Sequence, residues 1–318
     1  MSPEPGGPAV TTSPTSDQHT PDFDRRDTLM TTPLETRFET TGPITLKVEL
    51  QQGDVSLRTT GGPSTVVRLV PRGKNGAQIA ESFTVEARGD AVVVLAPKER
   101  GAFFSLGKRD AVDVEVDLPE GSTLDVRSGS GDVRGTGRFG DTQAATGSGD
   151  IAFDDLGAAE LKSGSGDLTA RAVRGELRAK TGSGDIEIEA THAVADLLSG
   201  SGDVSLRRAE APLRAKTGSG DVTIGASAAD VEVITGTGDL HLGAVHGGEV
   251  RARTGTGDVV IGVASGVAAY LDLNTVTGDV KIDLSEADGP GDAEAQTSLA
   301  VHSGSGDISV RRAQVSLA

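Results

Sequence analysis

Residues 181–203 read TGSGDIEIEATHAVADLLSGSGD, a stretch that begins and ends on nearly the same five residues. The motif is Ser or Thr, Gly, Ser or Thr, Gly, Asp, and it recurs along the chain, with Val276 in place of the first glycine before Asp279. Its aspartates are Asp132, Asp150, Asp167, Asp185, Asp203, Asp221, Asp239, Asp258, Asp279 and Asp307. Most neighbouring aspartates in this series are 17 to 19 residues apart. A fixed period of this length indicates a repeat architecture rather than one globular core.

Each repeat contains two short strand patterns. The residue after each aspartate is Val, Ile or Leu, and apolar residues alternate from there, as in Ile186 and Ile188. A second alternating run precedes each motif, as in Leu177, Ala179 and Thr181. Strands this short bury little alone, whereas coils stacked about 4.8 Å apart bury a continuous strip. The sequence therefore predicts an all-β fold, a parallel β-solenoid with two strands and about 18 residues per coil.

The outward position three residues before the motif carries charges that alternate in sign from coil to coil. These residues are Glu160, Arg178, Asp196, Arg214, Glu232, Arg251 and Asp272. Opposite charges on adjacent strands are favourable by roughly 0.2–1 kcal/mol, and like charges are unfavourable. We therefore expect these residues to form a structural ladder of stacked neighbours.

The repeated motif itself is predicted to be a corner between the two strands of a coil. Glycine supplies the positive φ values that a tight reversal needs. Ser, Thr and Asp offer oxygen acceptors to the backbone N–H groups that the corner leaves unpaired. On this interpretation the aspartates cap the corners, once per coil.

The chain divides into three regions by composition. Residues 1–33 are rich in Pro, Ser, Thr and Gly and are predicted to be a disordered tail. Residues 34–128 read as irregular β-structure that forms an N-terminal cap, with a variant coil at Asp54 and with Phe103 and Phe104 packed on the cap. Residues 129–318 are the predicted regular array.

The C-terminal part of the array contains two irregular features. A solvated acidic loop is expected after Asp283. The last coil, from Asp307, is incomplete and is predicted to leave open strand edges, which Arg311 and Arg312 would protect. Self-association through the ends of the solenoid is therefore one expectation.

Composition limits the partners and the compartment. The formal net charge of −17 and the pI of about 4.7 argue against nucleic acid as a partner. The chain has no Cys, which excludes disulfides and thiol catalysis and fits a reducing compartment. We find no basic segment followed by an apolar segment at the start and no apolar run of about 18 residues, so we expect a cytoplasmic protein without a membrane span.

The aspartate row raises the question of a metal. Calcium-binding β-rolls also use coils of about 18 residues, and Ca²⁺ prefers oxygen ligands. The GGxGxD nonapeptide of those rolls is absent here, however, and the second turn of each coil, such as EATHAV at 189–194, lacks any such motif. We predict no cofactor and retain Ca²⁺ at the ten motif aspartates as an alternative.

No catalytic constellation stands out in the sequence. The histidines are His19, His192, His241, His246 and His302, and no pair has metal-ligand spacing on one predicted face. Tyr270 is the single tyrosine, so there is little aromatic surface to hold a sugar. Glycine-rich stretches lead into strands rather than helices, which excludes a phosphate-binding loop. We predict that the protein is not an enzyme.

The pattern [ST]G[ST]GD[VIL]x[VIL] along residues 128–310, with the closing stretch GVAAYLDLNTVTGDVKIDL at 266–284, resembles the bacterial DUF4097 family of β-strand-repeat, adhesin-like proteins. The resemblance extends over about residues 36–312. It implies a β-solenoid of uncharacterised function and brings no catalytic residues with it.

These observations favour a non-catalytic, acidic, glycine-rich scaffold that binds a protein partner of unknown identity in the cytoplasm. Two alternatives remain open at this point. One is an adhesin-like binding protein at the cell surface, and the other is a Ca²⁺-stabilised module similar to a β-roll.

Overall fold

The computed structural model describes residues 33–97, 110–284 and 295–313. These residues form two β-sheets and one short helix, α1 (Gly76–Glu81). Sheet A contains β1 (Leu34–Glu39), β3 (Val55–Thr60), β4 (Ser64–Arg72), β7 (Ala111–Pro119), β9 (Val133–Arg138), β11 (Ile151–Leu156), β13 (Leu168–Val173), β15 (Ile186–Thr191), β17 (Val204–Ala209), β19 (Val222–Ser227), β21 (Leu240–Val245), β23 (Val259–Val263), β25 (Val280–Asp283) and β27 (Ile308–Arg312).

Sheet B contains the other strands. They are β2 (Thr45–Gln52), β5 (Thr84–Arg88), β6 (Ala91–Leu95), β8 (Thr123–Ser130), β10 (Thr142–Thr146), β12 (Ala159–Ser163), β14 (Leu177–Thr181), β16 (Ala195–Ser199), β18 (Leu213–Ser219), β20 (Val231–Thr237), β22 (Gly248–Thr256), β24 (Val267–Thr277) and β26 (Ala295–Ser305). In the described parts of the chain, no helix has the length and apolarity that a membrane span requires.

The regular part is a parallel β-solenoid, as predicted. The chain alternates between the sheets, and each strand pairs in parallel with the equivalent strand of the next coil, so that Leu177 lies opposite Ala195 and Ala195 opposite Leu213. Burial alternates along each strand because every second side chain points between the sheets. The variant coil predicted at Asp54 is also present, since β2 and β3 pair with β8 and β9.

The core is a set of rows that run across the coils. One row passes through Ile186, Val204, Val222 and Leu240, each at most 1% exposed. Burying a side chain of this kind stabilises the fold by about 1.5–3 kcal/mol, so the stack gains stability coil by coil. The predicted apolar strip is therefore continuous.

The N-terminal end contains antiparallel strands. Within the described residues, β1 pairs only with β4, β5 pairs only with β6, and both pairs are antiparallel. Arg68 and Arg58 both donate hydrogen bonds to Asp117 on β7. Burial opposes ionisation of Asp117, yet these two arginines hold its pKa below the ordinary value. Phe103, Phe104 and the predicted tail at 1–33, apart from Pro33, lie outside the described residues.

The last two coils are exchanged in space relative to their order in the chain. In sheet A, β27 lies between β23 and β25, and in sheet B, β26 lies between β22 and β24. This order corrects the prediction that the coil starting at Asp307 is terminal: Arg311 and Arg312 do not protect an open edge, because β27 pairs on both sides. The exchange encloses β26, whose Leu299 and Val301 are fully buried. The acidic loop predicted after Asp283 falls largely in 285–294, outside the described residues.

One core row shows how side-chain volumes are matched between coils. Phe153 on β11 is buried and packs edge to face on Phe139, with ring centroids 5.6 Å apart. Its neighbours in the row are Gly135 and Ala170. A Cβ atom at Gly135 would lie 2.2 Å from Cδ1 of Phe153. Small residues on both sides thus make room for the large ring.

We predict that Gly135→Ala lowers the free energy of unfolding by about 1–3 kcal/mol, because the added methyl group overpacks the row. Adding Phe153→Leu removes the ring that the methyl group contacts, so the double variant should be more stable than the sum of the single changes implies. Urea unfolding of the four proteins measures this coupling. Additive effects would contradict the proposed steric conflict.

Candidate functional site

The predicted aspartates lie at one corner of the coils and form a continuous hydrogen-bonded row. Each carboxylate accepts a hydrogen bond through Oδ1 from the backbone N–H of the next aspartate in the row, at 2.8–3.0 Å between N and O. The row is Asp113, Asp54, Asp132, Asp150, Asp167, Asp185, Asp203, Asp221, Asp239, Asp258, Asp307 and Asp279. The predicted capping of corner amides is therefore present, and the capped amide belongs to the neighbouring coil.

The row differs from the sequence pattern at its two ends. Asp113 lies on β7 outside any Gly-Asp motif, so the repeat gave no signal for it. Asp307 precedes Asp279 in the row because the last two coils are exchanged. The spatial order of the aspartates therefore departs from their chain order at both ends of the row, and it follows the chain order from Asp132 to Asp258.

The Ser or Thr that opens a motif joins two coils, except at Ser128, whose buried hydroxyl has no hydrogen-bond partner. The Thr181 hydroxyl donates to the Gly166 carbonyl oxygen at 2.9 Å and accepts from the Gly184 N–H at 3.1 Å. Thr181 is 2% exposed. The hydroxyls that donate in this way to a glycine carbonyl of an adjoining coil are those of Thr146, Ser163, Thr181, Ser199, Thr217, Thr235, Thr254, Thr275 and Ser303. The first Ser or Thr and the Asp of the motif therefore each bond one corner to the next.

The glycines of the motif are required mainly because the backbones of neighbouring coils approach each other closely there. A Cβ atom at Gly184 would lie 2.1 Å from the Gly166 carbonyl oxygen, and one at Gly182 would lie 2.3 Å from that of Gly164. The prediction that these glycines supply positive φ is wrong for most coils. Among the glycines that precede the motif aspartates, a left-handed φ occurs only at Gly238, Gly257, Gly278 and Gly306. The main constraint is the distance between stacked corners.

We predict that Gly184→Ala destabilises the protein by about 2–4 kcal/mol, because the new Cβ overlaps a backbone carbonyl that cannot rotate away. Gly61→Ala is the matched control, since a Cβ at Gly61 meets no atom within 4 Å. Thermal and urea unfolding measure both variants. Equal stability of the two variants would contradict the steric explanation.

We also predict that Asp203→Ala lowers the free energy of unfolding by about 1–3 kcal/mol, because the Asp221 N–H loses its acceptor. Asp203→Asn keeps an Oδ1 acceptor and removes one charge from the row, so its effect should be smaller. Urea unfolding compares the two variants. A larger loss for Asn than for Ala would show that charge, and not the hydrogen bond, matters at this corner.

The aspartate row is acidic along most of its length. Arg72, Arg134 and Lys281 form ion pairs with Asp54, Asp132 and Asp307. Within the described residues, no ion pair is formed by the seven aspartates from Asp150 to Asp258. No group of three or more His, Asp or Glu side chains in the described ranges could hold a metal ion. Ca²⁺ at the row stays an alternative to the prediction of no cofactor.

The charge ladder lies on the outer face of sheet B. The register places Glu160, Arg178, Asp196, Arg214, Glu232 and Arg251 opposite one another in that order. Asp272 does not continue the ladder, because the exchange of the last coils puts Ala300 between it and Arg251.

Ion pairing along this ladder runs partly within strands. Arg214 reaches Glu232 across strands, at 3.4 Å between Nε and Oε2. Arg178 instead pairs with Glu176, its neighbour two residues back. A hydrogen bond from Lys162 holds the pKa of Glu160 below its ordinary value, and the charge of Arg178 adds to this effect.

The histidines are spread over different parts of the surface. His192 Nδ1 lies 2.7 Å from Oε2 of Glu210 at the corner opposite the aspartates. His241 is on the outer face of sheet A, and His302 is on that of sheet B. His246 follows β21 at a corner and has a buried Nε2 without a hydrogen-bond partner. His19 lies outside the described residues.

A shallow groove of about 330 Å³ crosses the outer face of sheet A, and sequence reasoning missed it. Its charged walls are Arg134, Asp154, Arg171, Glu187 and Glu189. Ala152 and Thr169 lie between them in the register row from Arg134 to Glu187. The groove forms because these two short side chains separate longer charged ones.

Comparisons with known proteins found solved structures and a family model that are similar to this chain. A solved structure from Bacteroides fragilis, described as a candidate adhesin, is 13% identical, covers 87% of this chain and 96% of its own, and has a TM-score of 0.39. One from Parabacteroides merdae, also described as a candidate adhesin, is 7% identical, covers 86% and 96%, and has a TM-score of 0.42. A lipid-binding candidate from Parabacteroides distasonis is 11% identical, covers 87% and 96%, and has a TM-score of 0.34.

At these identities and TM-scores the likenesses carry nothing about function. None of the curated proteins compared with the chain matches it. A family model described as Toastrack DUF4097 matches residues 23–226 and 173–316, which together span most of the sequence. The chain belongs to the Toastrack DUF4097 family.

Proposed function

We propose that this chain is a non-catalytic binding module that presents the outer face of sheet A to a protein partner. The observation that carries the proposal is the groove over β9, β11, β13 and β15, where charges of both signs are held in register. The groove lies on the outer face of a sheet between charged side chains, whereas small-molecule sites enclose most of their ligand. Such a surface suits the side chains of another protein, and its mixed charges favour one partner over others.

The groove charges are fixed by contacts within the sheet. Asp154 accepts a hydrogen bond from the Gly137 N–H at 2.9 Å and lies 3.9 Å from the Arg171 guanidinium. Arg134 pairs with Asp132 at the corner. A rigid strand array orients these groups before binding, which lowers the entropy cost of association.

The experiment is affinity capture of a partner on the immobilised full-length chain, followed by a binding titration with the purified partner. Arg134→Glu with Arg171→Glu should weaken binding at least tenfold, because both changes reverse groove charges. Lys180→Glu with Arg253→Glu on sheet B is the control with the same change of net charge. A partner that binds the groove variant as tightly as the original chain would contradict the proposal.

We further propose that this binding takes place in the cytoplasm, which the absence of cysteine supports. Adhesion at the cell surface is the competing function. Proteinase treatment of intact cells separates the two, since only a surface protein is accessible. Digestion of the chain on intact cells would overturn the cytoplasmic assignment and favour adhesion.

A further inference from the structure

The C-terminal end of the solenoid is formed by β24 and β25, and each strand pairs on one side only. The neighbour of β24 is β26, and the neighbour of β25 is β27. Among the described residues no strand lies against the outer edges of this pair. Two adjacent edges with backbone N–H and C=O groups are therefore available for further pairing.

Apolar side chains are exposed at the same end. Val276 is 84% exposed, Tyr270 56%, Ile282 54% and Val280 43%. The row neighbour of Ile282 on β27 is Val310, which is fully buried. Ile282 therefore lies in a core row, and it is exposed because the next layer is missing from that row.

The two ends of the solenoid differ in how well their edge strands suit pairing with another sheet. At the N-terminal end, the edge strands β1 and β5 carry Glu35, Arg37 and Glu39, and Glu86 and Arg88. Charged edge strands discourage pairing with another sheet. Six large apolar residues are exposed in the described chain; four belong to β24 and β25, and one, Leu34, belongs to β1. Pairing is thus favoured at one end.

The segment that joins β25 to β26 offers little to cover this end. Residues 285–294 read SEADGPGDAE and contain no large apolar side chain. No described residue lies against the two open edges. The occupant has to match both the open backbone groups and the exposed apolar side chains of β24 and β25.

We propose that a second copy of this chain covers the end, related to the first by a two-fold axis, with β24 pairing antiparallel to β24 and β25 to β25. The Thr277 carbonyl bonds toward β26, through the Gly306 N–H. Because backbone groups alternate sides along a strand, Asp272 and Asn274 direct theirs toward the open edge. A pairing centred on Leu273 makes Asp272 and Asn274 exchange these bonds with Asn274 and Asp272 of the second copy.

The side chains match in this arrangement. On β24, Tyr270 faces Val276 of the second copy, so two exposed apolar residues cover each other. On β25, a pairing centred on Ile282 puts Lys281 opposite Asp283 of the second copy, which is a favourable charge pair. The surface is self-complementary, as a two-fold interface requires.

One axis can serve both strands. Leu273 and Ile282 are each the second inward residue from the corner, after Thr275 and Val280, on opposite sheets. In the end layer β24 spans about 36 Å and β25 about 13 Å, each about 10 Å wide with its side chains, so the layer buries about 500 Å² per copy. Stable interfaces bury about 800 Å² per partner. A reversible dimer at micromolar concentrations is the expected state.

The test is sedimentation velocity of the full-length chain from low to high micromolar concentration. The expected result is a shift from the mass of one chain, 32.3 kDa, to twice that mass. Ile282→Lys should abolish the shift, because it places two ammonium groups on the axis. Val194→Lys is the matched control: Val194 is 51% exposed at a mid-solenoid corner and should leave the dimer intact.

A charge exchange tests the register. Lys281→Asp alone faces Asp283 of the second copy and should weaken the dimer at least tenfold, and adding Asp283→Lys should restore it. Circular dichroism verifies that each variant keeps its β-structure. A chain that is monomeric at every concentration, or a dimer unaffected by Ile282→Lys, overturns the proposal. Weakening by Lys281→Asp without restoration in the double variant overturns the register.

Discussion

The spacing of stacked corners is the constraint on which the structure depends. Two backbones approach so closely at the motif that a Cβ atom at Gly184 would overlap a carbonyl oxygen. Glycine solves the steric problem but supplies no side chain to satisfy the corner's polar groups. The Ser or Thr hydroxyl and the Asp carboxylate do so, each by bonding to a neighbouring coil. The five-residue motif is therefore one unit in which the first Ser or Thr and the Asp bond polar groups that the glycines leave unpaired.

This unit also fixes the surfaces. Because every corner is bonded to the next, a strand cannot slip by a residue without breaking the hydroxyl and carboxylate bonds together. Outward side chains consequently lie in straight rows, and the sign of each row follows directly from the sequence. The result is an acidic corner, a face of sheet B with alternating charges, and a face of sheet A with a groove bounded by both signs. Such a molecule therefore presents rows of outward side chains to a partner.

Much of the array could be predicted from the sequence, since the information is local and repeated. The period gave the solenoid, and the alternating signs from Glu160 to Arg251 gave the register of sheet B. The role of the glycines could not be predicted in the same way, because a positive φ and a close approach of two backbones both require glycine. Asp113 was missed since it shares the corner row without sharing the motif. The groove depends on Ala152 and Thr169 being short, which no pattern marks as functional.

The exchange of the last two coils could not be predicted from the sequence pattern either. Both β24 and β26 carry side chains that fit the rows of β22. The exchange has a consequence for how the molecule is made. Ribosomal synthesis delivers β24 and β25 before β26 and β27, yet the later pair lies inside the earlier one. Growth of the solenoid by adding each new coil on top of the last therefore stops at β23. The coil of β26 and β27 must reach β22 and β23 before β24 and β25 can take their final place, so this end of the solenoid assembles out of chain order.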